Sequence, residues 1–504
     1  MIKRVNVVDV GSAKMVSDLR RQGGVCQDQV DDINFRDHEP IGAGYVASWL
    51  AKNGFEVELV WPRSDVVSVQ EALAGNPQAV CFSCLTFNYN KTRELAQKVK
   101  LAQSKIITVV GGYHAASAPK EVLTQTTNGK PLFDFVVAGE GELSIVGIFQ
   151  YLNGQIKAND VDGIVYHQGK LWANHLYRFD PRLNPMPLRP KDKMLKSRRY
   201  GLYYPAPSQQ RGVALFVWSR GCPYNCRFCS SKRMFPCCQG QPAVLYRDIG
   251  DITEEIRFCQ KEYGTNFGFC VDLNAPGTVG NQNHNKEWLR ELCQKVGKTG
   301  LKWYAMCRLD VDLECFEIMK NGGCTQIGFG VESLTNRLKS GTSMSIAKWQ
   351  AKTQQVAQVL KDIKIMSKFY YIFGGIFEGR VETVADIREE GEAILATECD
   401  TIRISWMVYP LYTPEFRQLQ QRDLLEGDGR NYSLMSTEFP IIKAPGTTAQ
   451  ELQHLRTEVM QKFFSPQRYG PHAKAQINRV PEWDRSFREL DQTLHRQFGQ
   501  GWIK

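Results

Sequence analysis

Apolar residues fall along this chain in short runs separated by longer stretches of mixed character. Early in the chain the runs are VNVVDV (5–10), VELVW (57–61), AVCFSCL (79–85), IITVVGG (106–112) and FVVAG (135–139). Each is nearly continuous and rich in β-branched residues, as expected of strands buried on both faces. Between them GYVASWLAKNG (44–54), KTRELAQKVKLA (91–102) and ELSIVGIFQYL (142–152) carry a helical period. Strands alternating with helices predict an α/β fold, a doubly wound parallel sheet, with ligands at the carboxyl ends of its strands. The loops after those ends read SCLTFN, GGYHAAS and AGEGE, rich in small or polar residues.

Proline then breaks the pattern. PRLNPMPLRP (181–190) and YYPAPS (203–208) can continue neither a helix nor a central strand, so a domain boundary is expected there. A second βα series follows, with strands at ALFVWS (214–219), FGFCV (267–271), KWYAMC (302–307), QIGFGV (326–331), KFYYIFG (368–374) and IRISWMVY (402–409). Helical patterns such as DITEEIRFCQKEY (251–263) and NKEWLRELCQKV (285–296) lie between them. Six such units predict a partial (β/α)6 barrel, whose chemistry sits on the loops after its strands. The remainder is polar and mainly helical, with amphipathic patterns at 449–464 and 486–498. The expected division is a first domain at 1–185, a linker at 186–212, a barrel at 213–412 and a helical C-terminal region at 413–504.

Composition changes this picture little. With 504 residues, 42% hydrophobic and 23% charged, the chain reads as a soluble protein of two or three domains. No apolar run reaches the ~18 residues of a spanning helix, and the N-terminus lacks a signal-peptide pattern, so a cytoplasmic protein without a membrane span is expected. The 15 cysteines, odd in number and set in apolar segments, suit a reducing compartment rather than a disulfide framework. A net charge of +10 is mild over this length, and no nucleic-acid partner is expected. The most basic stretch, Arg189 to Arg199, reads as a solvated linker.

One short segment does change the picture. GCPYNCRFCSS (221–231) sets Cys222, Cys226 and Cys229 in a C-x3-C-x2-C spacing directly after the first barrel strand. A disulfide leaves one of the three over. A structural zinc site wants four ligands, usually in two closely spaced pairs, and Cys237 and Cys238 are adjacent instead. Three thiolates around a [4Fe–4S] cluster leave one iron open to another ligand, and spacing and position favour this reading.

With Phe228 before the last cysteine, the segment resembles the C-x3-C-x-aromatic-C motif of the radical S-adenosylmethionine (SAM) enzymes, and the resemblance extends over about 213–412. It implies a [4Fe–4S] cluster on the three cysteines, SAM on the open iron, reductive cleavage to a 5′-deoxyadenosyl radical, and an electron donor such as flavodoxin or ferredoxin. It also implies SAM contacts from Phe228, Asp272, Arg308 and Glu332, the last three at strand ends. GGIFEGRVET (374–383) resembles the family's glycine-rich turn, without its usual proline and with extra residues. The first domain resembles the flavodoxin- or Rossmann-like cobalamin-binding domain of class B radical SAM methyltransferases. The matching phrases are EPIGAGYVASWLAKNGFEVELV (39–60), FSCLTF (82–87), VVGGYHAASAPKEV (109–122) and FDFVVAGEGE (133–142). Their positions imply cobalamin contacts from Ser83, Leu85, Gly111, Gly112, His114, Gly139 and Glu140. The D-x-H-x-x-G pattern that brings a histidine to cobalt is missing after Asp9, which implies a cofactor held without that ligand. Together the resemblances imply methylation of an unactivated carbon, on a small molecule, lipid, tetrapyrrole or peptide. A cyclase or rearrangement enzyme that transfers no methyl stays open, as does a cobalamin-responsive binding module.

Overall fold

The computed structural model describes residues 2–10, 39–62, 67–167, 169–171, 179–189, 213–224, 226–235, 243–275, 283–336, 343–377 and 379–481, with scattered positions from 484 to 495. The early runs pair into a seven-stranded sheet. Its order is Glu56–Val60, Arg4–Asp9, Ala79–Ser83, Ile107–Gly111, Phe135–Val137, Val165–His167, Lys170–Leu171. The first five are parallel, as the runs predict. The last two add an antiparallel edge. Val165–His167 and Lys170–Leu171 are too short and polar to register as apolar runs.

Side chains alternate across this sheet with period two. Val5, Val7, Cys81, Val109, Phe135 and Val137 pack beneath the helices Ile41–Lys52 and Glu142–Leu152. Val8, Val80, Phe82, Val110 and Val136 face the other side, where Leu95, Ala96 and Val99 of the helix Tyr89–Ala102 cover them.

The second sheet has six parallel strands in chain order: Val213–Phe216, Phe267–Cys270, Lys302–Arg308, Cys324–Glu332, Met366–Phe373 and Thr401–Trp406. Val213–Phe216 is an edge, and an edge strand leaves backbone groups that need partners. The first domain supplies one of them. The Leu215 N–H donates to Glu39 at 3.1 Å, and the Leu215 carbonyl accepts from Arg189 at 3.0 Å. Arg189 is fully buried and also ion-pairs with Glu39 and Glu255. This corrects the expectation of a solvated basic linker at its first residue: Arg189 is a buried bolt between domains. Positions 190–199 lie outside the described residues.

The C-terminal region contributes the helices Pro414–Gln421, Ala449–Phe463 and Pro466–Arg479. The last was not expected, because Gly470 and Pro471 interrupt its pattern; buried Tyr469, Ala473 and Gln476 fix it to the barrel. The helix expected at 486–498 falls mostly outside the described residues. Tyr432 of this region, and Tyr412 just ahead of it, donate their hydroxyls to Glu121 of the first domain. No described helix is long and apolar enough to cross a membrane.

Candidate functional site

The cysteine loop is held from behind. Strand Ser219–Gly221 pairs antiparallel with Val244–Tyr246. Asp272, just past the strand Phe267–Cys270, accepts the Trp218 N–H at 2.8 Å and the Ser219 hydroxyl. Burial pushes the Asp272 carboxyl up to about 6, against the hydrogen bonds that favour its charge. Gly221, at φ +97°, then turns the chain into the loop, a conformation that suits glycine.

Nine of the twelve described cysteines are buried; Cys222, Cys226 and Cys229 are the three that are not. The Cys229 N–H donates to the Cys226 carbonyl at 3.1 Å, and the Cys229 sulfur accepts the Ser231 N–H at 3.4 Å. Arg308 Nη1 lies 3.8 Å from the Cys226 sulfur. The same guanidinium sits 4.0 Å over the Tyr224 ring and bonds Asp310 at 3.0 Å. Burial pushes the Cys226 thiol up to about 11, opposed by Arg308 and reinforced by Cys229, Glu332 and Cys222 around it. Glu332 ends its strand at φ +64°, a left-handed conformation uncommon for any residue but glycine. The backbone that follows is fixed by buried Glu390, which accepts the Leu334 N–H at 2.8 Å, the Thr335 N–H at 3.1 Å and the Thr335 hydroxyl at 2.6 Å. The structure therefore gathers Cys222, Cys226, Cys229, Arg308 and Glu332 on the barrel rim. The three thiols do not already stand as a closed metal-binding group among the described residues, but three half-buried thiols on one short loop, with a cation beside Cys226, fit an anionic iron–sulfur cluster.

A cavity of about 520 Å³ opens where this rim meets the first domain. Its floor follows from the period of the first sheet. Val7 and Asp9, Cys81 and Ser83, Val109 and Gly111, and Val137 and Gly139 share one face, and all line it. Its roof is the start of the helix Ile41–Lys52, where a Cβ added at Gly42 meets nothing within 4 Å. A Cβ at Gly139 likewise enters open space. Leu85, Gly112 and Glu140 of the expected set also line this wall, and Asp272 reaches it from the barrel side. Small residues with open space above them fit a long, flat guest such as the nucleotide tail of a corrinoid.

Two expected residues sit differently. His114 is not on the cavity wall: its ring is fully buried, stacked on Tyr89 at 3.8 Å and edge-on to Tyr432 at 5.0 Å. Burial holds its imidazole neutral, down at about 3. Gly112 is needed for a close approach rather than for a slot, since a Cβ there would sit 2.5 Å from the Cys84 carbonyl oxygen. Phe228 is half-buried and packs against the core. In the glycine-rich turn, the extra residues form a hairpin, Ile376–Phe377 with Arg380–Val381, and Glu382 folds back to accept the Gly374 N–H at 2.7 Å. Sequence reasoning missed Gly42 and Arg220, both on the cavity wall. A charge between Ser219 and Gly221, immediately ahead of the first cysteine, was the available signal for Arg220.

Residues 35–149 match the B12 binding domain and residues 216–394 the radical SAM superfamily. A cytidylyl-2-hydroxyethylphosphonate methyltransferase of Streptomyces wedmorensis is 24% identical over 352 residues, 59% of this chain and 62% of that protein. An anaerobic magnesium-protoporphyrin IX monomethyl ester cyclase of Rubrivivax gelatinosus is 25% identical over 351 residues, 66% of this chain and 59% of its own. The chain thus spans less than two thirds of the length of both relatives. Among solved structures, the radical SAM methyltransferase TsrM of Kitasatospora setae, with cobalamin and a [4Fe–4S] cluster bound, has the same fold. Its TM-score is 0.61 at 14% identity, covering 93% of this chain and 90% of that one.

Proposed function

This chain is a radical SAM enzyme with a B12 binding domain, and we propose that it methylates an unactivated carbon. Its cofactors are cobalamin, a [4Fe–4S] cluster and SAM. The cluster supplies the electron that cleaves SAM and the corrinoid supplies a methyl donor, two chemistries that a single substrate must reach in turn. The observation that carries the reading is the placement of the cavity: Ser219, Gly221 and Asp272, which hold the cysteine loop, also form its barrel-side wall. A barrel alone suffices for hydrogen abstraction, so a second site opening onto the same rim argues for a second group to transfer.

In this reading residues 1–185 hold cobalamin, residues 213–412 hold the cluster and SAM, and residues 413–504 cap their junction. Cys222, Cys226 and Cys229 bind the cluster. Arg308 places a cation beside the Cys226 sulfur, which offsets the negative charge gathered there. Glu332 and Arg308 present polar atoms to SAM at neighbouring strand ends. Asp272, its carboxylate turned to Trp218 and Ser219, orients the cysteine loop from behind. Gly42, Ser83, Leu85, Gly111 and Gly139 leave room for the corrinoid's tail. A flavodoxin- or ferredoxin-type donor supplies the electron.

The cyclase relative, aligned over 66% of this chain, keeps a second reading in play, in which the carbon radical closes a ring instead of accepting methyl. Product stoichiometry separates the two. Methylation consumes two SAM per turnover and forms one 5′-deoxyadenosine and one S-adenosylhomocysteine, with isotope from the SAM methyl appearing in product. A substrate converted at full rate with no S-adenosylhomocysteine formed selects the second reading.

A further inference from the structure

Arg220 stands two residues ahead of Cys222, on the strand that delivers the cysteine loop. Its guanidinium leaves the barrel and enters the first domain. Nη1 bonds Glu140 at 3.2 Å and Nη2 bonds Glu142 at 2.7 Å, with all three side chains at most 10% exposed. Tyr45 and Phe179 cover its faces, with ring centroids 5.1 and 5.6 Å away. The two carboxylates are themselves fixed. Glu140 accepts the Phe179 N–H at 3.0 Å, and Glu142 accepts the Asn184 amide at 3.0 Å. Glu142 also opens the helix Glu142–Leu152, where the helix dipole favours a negative charge. Burial alone disfavours the guanidinium's charge, yet Glu142 and Glu140 more than offset it and hold the group above its ordinary range.

These contacts join two short segments that have separate tasks. One is Ser219–Gly221, already tied to Asp272 and leading directly into the cysteines. The other is Gly139–Glu142, whose glycines line the cavity. A planar, five-donor guanidinium between two carboxylates fixes orientation as well as distance, which a lysine cannot do.

We propose that Arg220 is a positioning residue that sets the spacing and mutual orientation of the cluster and corrinoid sites by locking the cysteine loop to the Gly139–Glu142 turn. The inference rests on the two-cofactor reading above but makes a claim that needs no substrate. Full-length protein is reconstituted with iron, sulfide and cobalamin, and iron and corrinoid are counted. The cluster is then reduced in the presence of Co(II), and relaxation enhancement of the Co(II) signal by the cluster is measured by pulsed electron paramagnetic resonance. Two variants are compared. Arg220→Lys keeps the charge without the fork. Arg220→Gln with Glu142→Gln removes an opposed pair, so the net charge of the cluster is unchanged and Glu140 keeps the Phe179 N–H.

Both variants are expected to retain iron and cobalamin while the dipolar enhancement falls at least threefold or spreads into several populations. In turnover, 5′-deoxyadenosine should then exceed S-adenosylhomocysteine at least threefold, because radicals form without the methyl donor in register. Wild-type enhancement preserved in both loaded variants overturns the role given to Arg220. Loss of either cofactor from both overturns it too, since Arg220 would then be holding a site together rather than spacing two. Wild-type protein that binds both cofactors but shows no enhancement refutes instead the shared rim on which the functional reading depends.

Discussion

At the scale of single residues, the most informative side chains are those whose surroundings contradict a simple reading. His114 follows a glycine pair and looks like a ligand contact, yet among the described residues no hydrogen-bond partner meets its buried ring nitrogens. Its pKa falls from 6.5 to about 3 because burial disfavours the charged ring. Below pH 6.5 the unfolded chain therefore takes up a proton that the folded chain refuses. The stability due to neutral His114 is complete above 6.5 and is lost as pH falls toward 3, at up to about 1.4 kcal/mol per pH unit. His114→Phe keeps a ring against Tyr89 and removes that term. Urea midpoints measured at pH 7 and pH 5 should converge in the variant and separate in the wild type; equal pH slopes would refute the account. The glycines make a second contrast. Gly112→Ala forces a Cβ to 2.5 Å from the Cys84 carbonyl at φ +98°, and should lower the stability of the cofactor-free chain by about 1–3 kcal/mol. Gly42→Leu meets open space, so stability should hold while cobalamin affinity drops roughly tenfold, as expected of a filled slot. Fluorescence-monitored unfolding and equilibrium dialysis of cobalamin distinguish the two, and cobalamin bound normally by Gly42→Leu would empty the proposed slot of meaning.

At the scale of elements, the site depends on how strands end. Strand Cys324–Glu332 ends in a register shift and a left-handed Glu332, and such a conformation persists only where its surroundings over-determine it. Glu390 of the helix Val384–Leu395 does this by collecting the donors of residues 333–335. Glu390→Gln replaces an acceptor-only group with one that turns a donor toward donors. Iron content should be unchanged, and SAM should bind about tenfold more weakly to the reconstituted protein by equilibrium titration. Unaltered SAM affinity would detach this loop from the SAM site. None of this was legible from the chain. Glu390 lies 57 residues from Ser333 and reads as one more charge on an amphipathic helix. What was legible was local: six barrel strands from six apolar runs, and three cysteines whose spacing spans one loop. The antiparallel edge and the helix Pro466–Arg479 escaped because tertiary packing, not their own pattern, holds them. Arg189 escaped because a basic residue in a proline-rich stretch looks solvated until Glu39 and Glu255 are brought to it from 150 and 66 residues away.

At the scale of the whole molecule, one apolar cluster runs through the first domain, the barrel and the C-terminal region, and buried charges and hydrogen bonds fix how these parts meet. The first domain completes the open barrel edge at Leu215, and Arg247 reaches across to the Tyr45 hydroxyl at 2.9 Å while pairing with Glu255 at 2.6 Å. A buried polar junction of this kind contributes orientation more than stability, because much of its Coulomb gain offsets lost hydration. On the remaining side the C-terminal region, with Tyr412 just ahead of it, meets the first domain around Glu121. Glu121, on the helix Pro119–Leu123, accepts both Tyr412 and Tyr432, and Tyr432 lies edge-on to Tyr89 at 5.7 Å as well as to His114. Burial, with Glu121 adding to it, pushes the Tyr412 hydroxyl up to about 12, so both phenols remain donors through the neutral range. The cap and the helices after the glycine pair should then open as one unit. Glu121→Ala removes the shared acceptor without touching the cysteine rim or the cavity wall. Amide exchange followed by mass spectrometry should speed up roughly tenfold or more in residues 426–436 and 113–123 together, the factor expected when about 1.4 kcal/mol or more of local stability is lost. Exchange that rises only within 113–123 would show that the C-terminal region is held to the barrel alone. Its contact with the first domain would then be incidental to the assembly of the site.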